Sequence, residues 1–150
     1  MALIDRYFSK RDLNTITKAC GKAEENTSGE IRVSIFSKRP GKMKGLELQE
    51  IALNEFYNLG MDKTRDKTGI LLFILLKERK FQILADTGIN SKVEQKIWDN
   101  IALGLSDYFK KGNYLQGVVN TVDEMGKILS NHFPKKADDW NELSDEVSVR

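Results

Sequence analysis

Gly69-Ile-Leu-Leu-Phe-Ile-Leu-Leu-Lys-Glu-Arg-Lys-Phe-Gln-Ile-Leu-Ala-Asp-Thr-Gly-Ile-Asn90 decides the fold. Eight apolar or small residues run unbroken from Gly69 to Leu76, and a charged turn, Lys77 to Lys80, follows. A second apolar run, Phe81 to Ala85, stops at Asp86. This pattern predicts a buried central strand, a hairpin, and a returning strand with a carboxylate at its C-terminal tip. An antiparallel return sets Asp86 beside the segment that enters the first strand, which contains Asp66. Two acids thus share one sheet edge.

Working outward, residues 9 to 27 read as a helix. Ser9 and Asp12 form a capping pair, and Leu13, Ile16, Ala19, Cys20 and Ala23 make one apolar stripe. Glu30 to Ser37 reads as a strand: Ile31, Val33 and Ile35 face one way, Arg32, Ser34 and Phe36 the other. The alternation predicts one face less buried than those of the central strand. A basic loop, Lys38 to Gly45, leads to a helix over 46–59 that ends at Gly60. Ser91-Lys-Val-Glu94 has capping-box form and predicts a helix over about 91–110. A further helix spans 114–132, stopped by Pro134, and a short strand is expected at 146–149.

The order is α-β-α-β-β-α-α. A strand, crossover helix and strand should give a parallel, right-handed unit. The expected architecture is a three-layer α/β/α sandwich on a small mixed sheet. No internal repeat appears. We divide the chain into a domain over 1–136 and an acidic tail over 137–150.

Composition excludes several classes. One hundred and fifty residues with 40% hydrophobic content suit one domain with a core. A net charge of +2 is too weak to indicate nucleic acid. Residues 137–150 carry five acids against Arg150, a net of −4, which leaves +6 on the preceding 136 residues. Such asymmetry predicts a tail that folds back on the body. The longest apolar run, seven residues, is far short of a membrane span. No signal peptide is recognisable at the start, and Cys20 is the lone cysteine. The chain reads as a cytoplasmic monomer.

Topology sharpens the opening observation. Glu30, Asp66 and Asp86 should all lie at one sheet edge, near the start of the helix beginning at Ser91. Three such carboxylates repel unless a cation sits among them. A hard divalent ion, Ca²⁺ or Mg²⁺, suits their oxygens, so Asp66, Asp86 and Glu30 are the candidate metal ligands. Alternatively each acid is solvated, pairs with Arg32, Arg65 or Lys67, or caps a turn.

Asp86-Thr-Gly88 has the form of an aspartic protease motif, but such enzymes need a second aspartate and an all-β frame. A strand-to-helix turn explains it better. His132 sits where it would meet a helix C-terminus, and Cys20 lies on an apolar stripe. No Ser-His-Asp or Cys-His arrangement emerges, and the glycines form no phosphate-loop pattern. Lys38, Arg39, Lys42 and Lys44 could hold an anion or form a solvated loop.

The colinear series Ser28-Gly-Glu-Ile-Arg-Val33, Lys67-Thr-Gly-Ile-Leu-Leu72, Arg79-Lys-Phe81, Asp86-Thr-Gly-Ile89 and Phe109-Lys-Lys-Gly-Asn-Tyr-Leu-Gln-Gly117 resembles the TPM domain. The resemblance covers roughly residues 10–133. It implies an α/β/α sandwich, divalent-cation binding, and the acid phosphatase activity claimed for a thylakoid-lumen member linked to photosystem II repair. The tail at Asp139-Trp-Asn-Glu-Leu-Ser-Asp-Glu146 resembles the ending of a soluble bacterial branch. The family's acidic loops correspond to Asp66 and Asp86. The commoner pattern lacks an aspartate at the Asp86 position and has Thr-Gly-x-Gly where this chain has Asp-Thr-Gly-Ile.

Two functions follow as expectations. One is a cation-binding domain with weak phosphatase activity on a phosphate-containing substrate, in which a metal-bound water or Asp86 attacks. The other is a non-enzymatic module for a protein partner, with the cation or tail ordering its surface and Trp140 as an anchor.

Overall fold

The computed structural model describes residues 2–136 and 143–150. Helix α1 (Lys10–Ala23) leads to strand β1 (Glu30–Phe36), then α2 (Leu48–Asn58) and β2 (Gly69–Leu75). Strand β3 (Lys80–Ala85) is followed by a short α3 (Thr87–Asn90), then α4 (Gln95–Lys110), α5 (Tyr114–His132) and β4 (Ser148–Val149). The sheet order is β3-β2-β1-β4. Strand β1 runs parallel to β2 and β4, whereas β3 is antiparallel to β2. The expected sandwich is therefore present, with β2 between β1 and β3.

Local chemistry explains several boundaries. Ser9 accepts from the Asp12 amide at 3.0 Å while Asp12 accepts from the Ser9 amide at 2.9 Å, a reciprocal box that starts α1. Gly60, at φ 71°, lets the chain leave α2 in a left-handed turn that a side chain would resist.

The two faces of the sheet carry separate cores. Ile70, Leu72, Ile74, Ile31, Val33 and Ile35 pack with α1, α4 and α5. Leu71, Phe73, Leu75 and Phe36 pack with Ile51, Ala52 and Phe56 of α2. Every side chain from Ile70 to Leu75 is fully buried. Each such aliphatic contributes roughly 1.5–3 kcal/mol of transfer free energy.

The second face of β1 is less buried than those of β2, as its alternation predicts: Arg32 is half-buried, while Ser34 and Phe36 are buried against α2. Two sequence expectations change. Residues 91–94 do not cap the long helix. Asp86 takes the N-cap of α3 instead, Ser91 closes α3, and α4 starts after Glu94. Buried Ile89 and Val93 anchor this connection and override the local capping pattern. Helix α1 ends at Ala23 rather than residue 27, because Glu24 turns its carboxyl group onto the Ile31 amide at 2.6 Å.

Residues 143–150 lie against the body, and backbone pairing holds their end. The Arg150 amide donates to the Ile35 carbonyl and the Ser37 amide to the Arg150 carbonyl, both at 2.9 Å. The Val147 amide donates to Thr17 Oγ1 at 3.2 Å. Asp138, Asp139, Trp140 and Glu142 lie outside the described residues.

Candidate functional site

The acidic edge is built around Gly69. Glu30 pairs with Gly69 in the β1–β2 register, and the Asp86 amide donates to the Gly69 carbonyl at 2.9 Å, so all three share one row. A Cβ on Gly69 would come within 2.6 Å of the Met61 carbonyl oxygen. Met61 thus covers the bare middle position of the row. Glu30, buried at one end, accepts from the Leu143 amide at 2.9 Å through Oε1.

Asp86 and Asp66 are brought together by a different contact. Residues 66 and 67 form the turn before β2, with Lys67 at φ 57°. Their carbonyls pack directly against Gly88. A Cβ there would lie 2.2 Å from the Asp66 oxygen and 2.4 Å from the Lys67 oxygen. Asp86 sits two residues before, its Oδ1 accepting from the Thr87 amide at 2.7 Å. Its Oδ2 is buried and accepts no hydrogen bond among the described residues. A buried carboxylate oxygen without a donor is costly unless something else compensates it.

Asp66 is more exposed. Its Oδ2 pairs with Arg65 at 3.2 Å and with Lys136 at 3.5 Å. The hydrogen bond from Arg65, then the Arg65 and Lys136 charges, hold its carboxyl below the usual carboxylate range. Asp66 is therefore ionised at neutral pH. A hard cation would find here one carboxylate at the rim, one buried carboxylate oxygen, and two adjacent carbonyl-bearing residues. No cluster of three or more His, Cys, Asp or Glu side chains suited to a metal occurs among the described residues. Any cation here needs backbone oxygens or water as well.

A cavity of about 410 Å³ opens beside Asp66, lined by Lys92, His132, Lys135 and Lys136 among others. Lys92 Nζ donates to the His132 carbonyl at 3.4 Å and lies 5.0 Å from the Phe133 ring centre. His132 is in the last turn of α5, as the sequence suggests. This basic wall was not apparent from spacing, because Lys92 and Lys135 meet only through tertiary packing. The sole sequence signal was the Lys135-Lys136 pair after Pro134.

A family model described as the TPM domain matches residues 5–128. The chain belongs to the TPM domain family. Comparison with curated proteins returned no match. Among solved structures, this TPM domain is similar to the BA42 protein of the psychrophilic bacterium Bizionia argentinensis, determined by NMR. The two share 33% identity over 100% of both chains, with a TM-score of 0.86. The N-terminal domain of a P. gingivalis protein, also solved by NMR, shares the fold. Its identity is 16% and its TM-score 0.69, over 85% of this chain and 79% of that one. No helix among the described residues is long and apolar enough to cross a membrane.

A second acidic pair clasps the tail of this TPM domain. Glu24 is 8% exposed, and its carboxyl is hydrogen-bonded to Asp145. Burial first, then that hydrogen bond, push Glu24 up to about 10 from its ordinary 4.5. Folded Glu24 keeps a proton that unfolded Glu24 has already released. Its contribution to stability is thus full below about pH 4.5 and is lost as pH rises through 10. Glu24→Gln keeps a neutral partner for the Ile31 amide and Asp145. We expect this variant to melt higher than the wild type at pH 8 and to match it near pH 4. Thermal melts across that range check it; parallel curves would show that Glu24 is ionised in the fold. The nearby Cys20 thiol is pushed well above its usual range, chiefly by burial, and is inert as a nucleophile.

Proposed function

We propose that this TPM domain binds a divalent cation, Ca²⁺ or Mg²⁺, at the edge formed by the Asp66–Lys67 turn and the Asp86–Gly88 turn. The observation that carries this reading is the buried Asp86 Oδ2, which accepts no hydrogen bond among the described residues, beside two carbonyl-bearing residues packed on Gly88. Hard cations take carboxylate and carbonyl oxygens, and such backbone approach needs a residue without a Cβ. Asp66 supplies a second, ionised carboxylate once Arg65 and Lys136 yield it. Glu30, in the same sheet row, is the outermost candidate, and it would have to release the Leu143 amide.

Few charged ligands imply modest affinity, on the order of 10⁻⁶ to 10⁻³ M. At a cation concentration 100 times Kd, mass action stabilises the fold by about 2.7 kcal/mol. Calcium and magnesium titrations followed by thermal melts and ¹⁵N-resolved NMR test this. The wild type should gain stability, with shifts centred on residues 66–69 and 86–90. The Asp66→Asn, Asp86→Asn double variant should lose the gain. If calcium stabilises that variant as much as the wild type, the cation binds elsewhere.

One observation favours a second reading, a metal-dependent phosphatase. The cavity next to Asp66 is lined by Lys92, Lys135 and Lys136, whose charges suit a phosphate-containing substrate. Asp86 is then the candidate catalytic residue, as nucleophile or as the group that holds the cation near a bound water. Turnover of a phosphate monoester that vanishes in Asp86→Asn supports the enzyme. Cation binding without turnover supports a non-enzymatic module for a protein partner.

A further inference from the structure

The opposite end of the sheet holds a cavity of about 350 Å³, outside the carboxyl ends of the parallel strands β1 and β4. Ligands of open α/β sheets favour this position. Its floor is Glu55, and buried Phe36 and Ile51 line it above. Glu55 is 1% exposed. Its Oε2 accepts from Ser34 Oγ at 2.6 Å and from Ser148 Oγ at 3.3 Å. Its Oε1 is buried, accepts no hydrogen bond among the described residues, and has only the Arg150 Nε charge at 3.6 Å. A buried carboxylate oxygen in this state invites an O–H or N–H donor.

The mouth is basic. Lys38 and Lys42 are exposed on the rim and make no ion pair among the described residues. The loop that carries them is fixed by Arg39. Its guanidinium binds Glu78 at 2.7 and 3.0 Å, and the Lys44 and Leu46 carbonyls at 3.1 and 2.8 Å. On the other side, the backbone of Arg150 is held by β1, and its guanidinium lies 5.8 Å from the Phe36 ring centre. Between rim and floor lie apolar Phe36, Met43 and Ile51, with Asn54 and Asn58 beside them.

From these three levels we infer that the cavity binds a small, flat, anionic molecule with a hydroxyl or N–H donor at its far end. The anion meets Lys38 and Lys42, the flat body lies on Phe36, Met43 and Ile51, and the donor reaches Glu55 Oε1. This site is independent of the cation reading, since it occupies the other end of the sheet.

Three probes dissect it: 4-hydroxyphenylacetate carries anion, ring and donor; phenylacetate lacks the donor; 4-methylphenol lacks the anion. In ¹⁵N-resolved NMR titrations, 4-hydroxyphenylacetate should shift residues 36–43, 51–58 and 150 saturably. It should bind at least about tenfold more tightly than either partial probe, a ratio worth about 1.4 kcal/mol. Lys38→Ala with Lys42→Ala should erase its advantage over 4-methylphenol, and Glu55→Gln its advantage over phenylacetate. Should Glu55→Gln fail to fold, the exposed lysine pair decides alone. Equal affinities for the three probes, shifts elsewhere, or an unchanged affinity in the lysine variant would overturn the inference. Calcium added to the same samples should shift residues 66–69 and 86–90 instead, so failure at one site is separable from failure at the other.

Discussion

Gly88→Ala is expected to abolish the calcium response and to destabilise the fold by at least about 1–3 kcal/mol, the range for overpacking a tight site. A new Cβ would sit 2.2 Å from the Asp66 oxygen and 2.4 Å from the Lys67 oxygen, both backbone atoms that no rotamer change can move. The turn before β2 must then lift away, separating Asp66 from Asp86. Gly104→Ala is the control. Gly104 lies inside α4 with open space around its Cβ position. Removing backbone freedom there should stabilise by about 0.4–1 kcal/mol. Urea titrations with and without calcium measure both effects. If Gly88→Ala retains wild-type stability and its calcium shift, the two turns are not in the contact described.

Leu72→Ala is expected to cost about 2–5 kcal/mol, the range for truncating a fully buried large aliphatic. Leu72 is fully buried in the central strand, with neighbours from β1 and β3 on its edges and helices on its face. The same burial predicts that amides 70–75 are the slowest to exchange with solvent. Leu103→Ala provides the contrast, since Leu103 is 70% exposed and its truncation should change stability by no more than about 0.5 kcal/mol. Denaturant melts and native-state hydrogen exchange check the pair. Fast exchange at 70–75 would remove β2 from the centre of the sheet.

The cost of these substitutions depends on how the elements meet, whereas the elements themselves were largely written in local sequence. The run from Gly69 to Leu76 is apolar on both faces, short and followed by a charged turn, which together fit a strand buried on both sides that returns as a hairpin. Ser9 and Asp12 close a capping box within four residues, and Gly60 supplies the left-handed conformation that α2 needs to end. Sheet order followed from these, because a crossover sets β1 beside β2 and a hairpin sets β3 on the other side. Hence the placement of Asp66 and Asp86 at one edge is legible in the sequence.

Tertiary structure decided what depends on residues far apart in the chain. Ser91 to Glu94 looks like a helix start, yet buried Ile89 and Val93 hold that segment in a connection, and packing outweighs a cap worth about 1 kcal/mol. The alternation in β1 marks its less buried face, but the packing of α2 on Phe36 and the pairing of a strand from residue 148 along its edge come only from tertiary structure. Glu30 meets the Leu143 amide across 113 positions, and Val147 meets Thr17 across 130. Glu24 finds Asp145 only because the chain end folds back along β1. Gly88 reads as an ordinary turn glycine until the carbonyls of residues 66 and 67 lie against it. Local spacing encodes backbone conformation and which side of an element is apolar. Which carboxylate is buried, and against what, is set by the three-dimensional packing of segments that no short window of sequence contains.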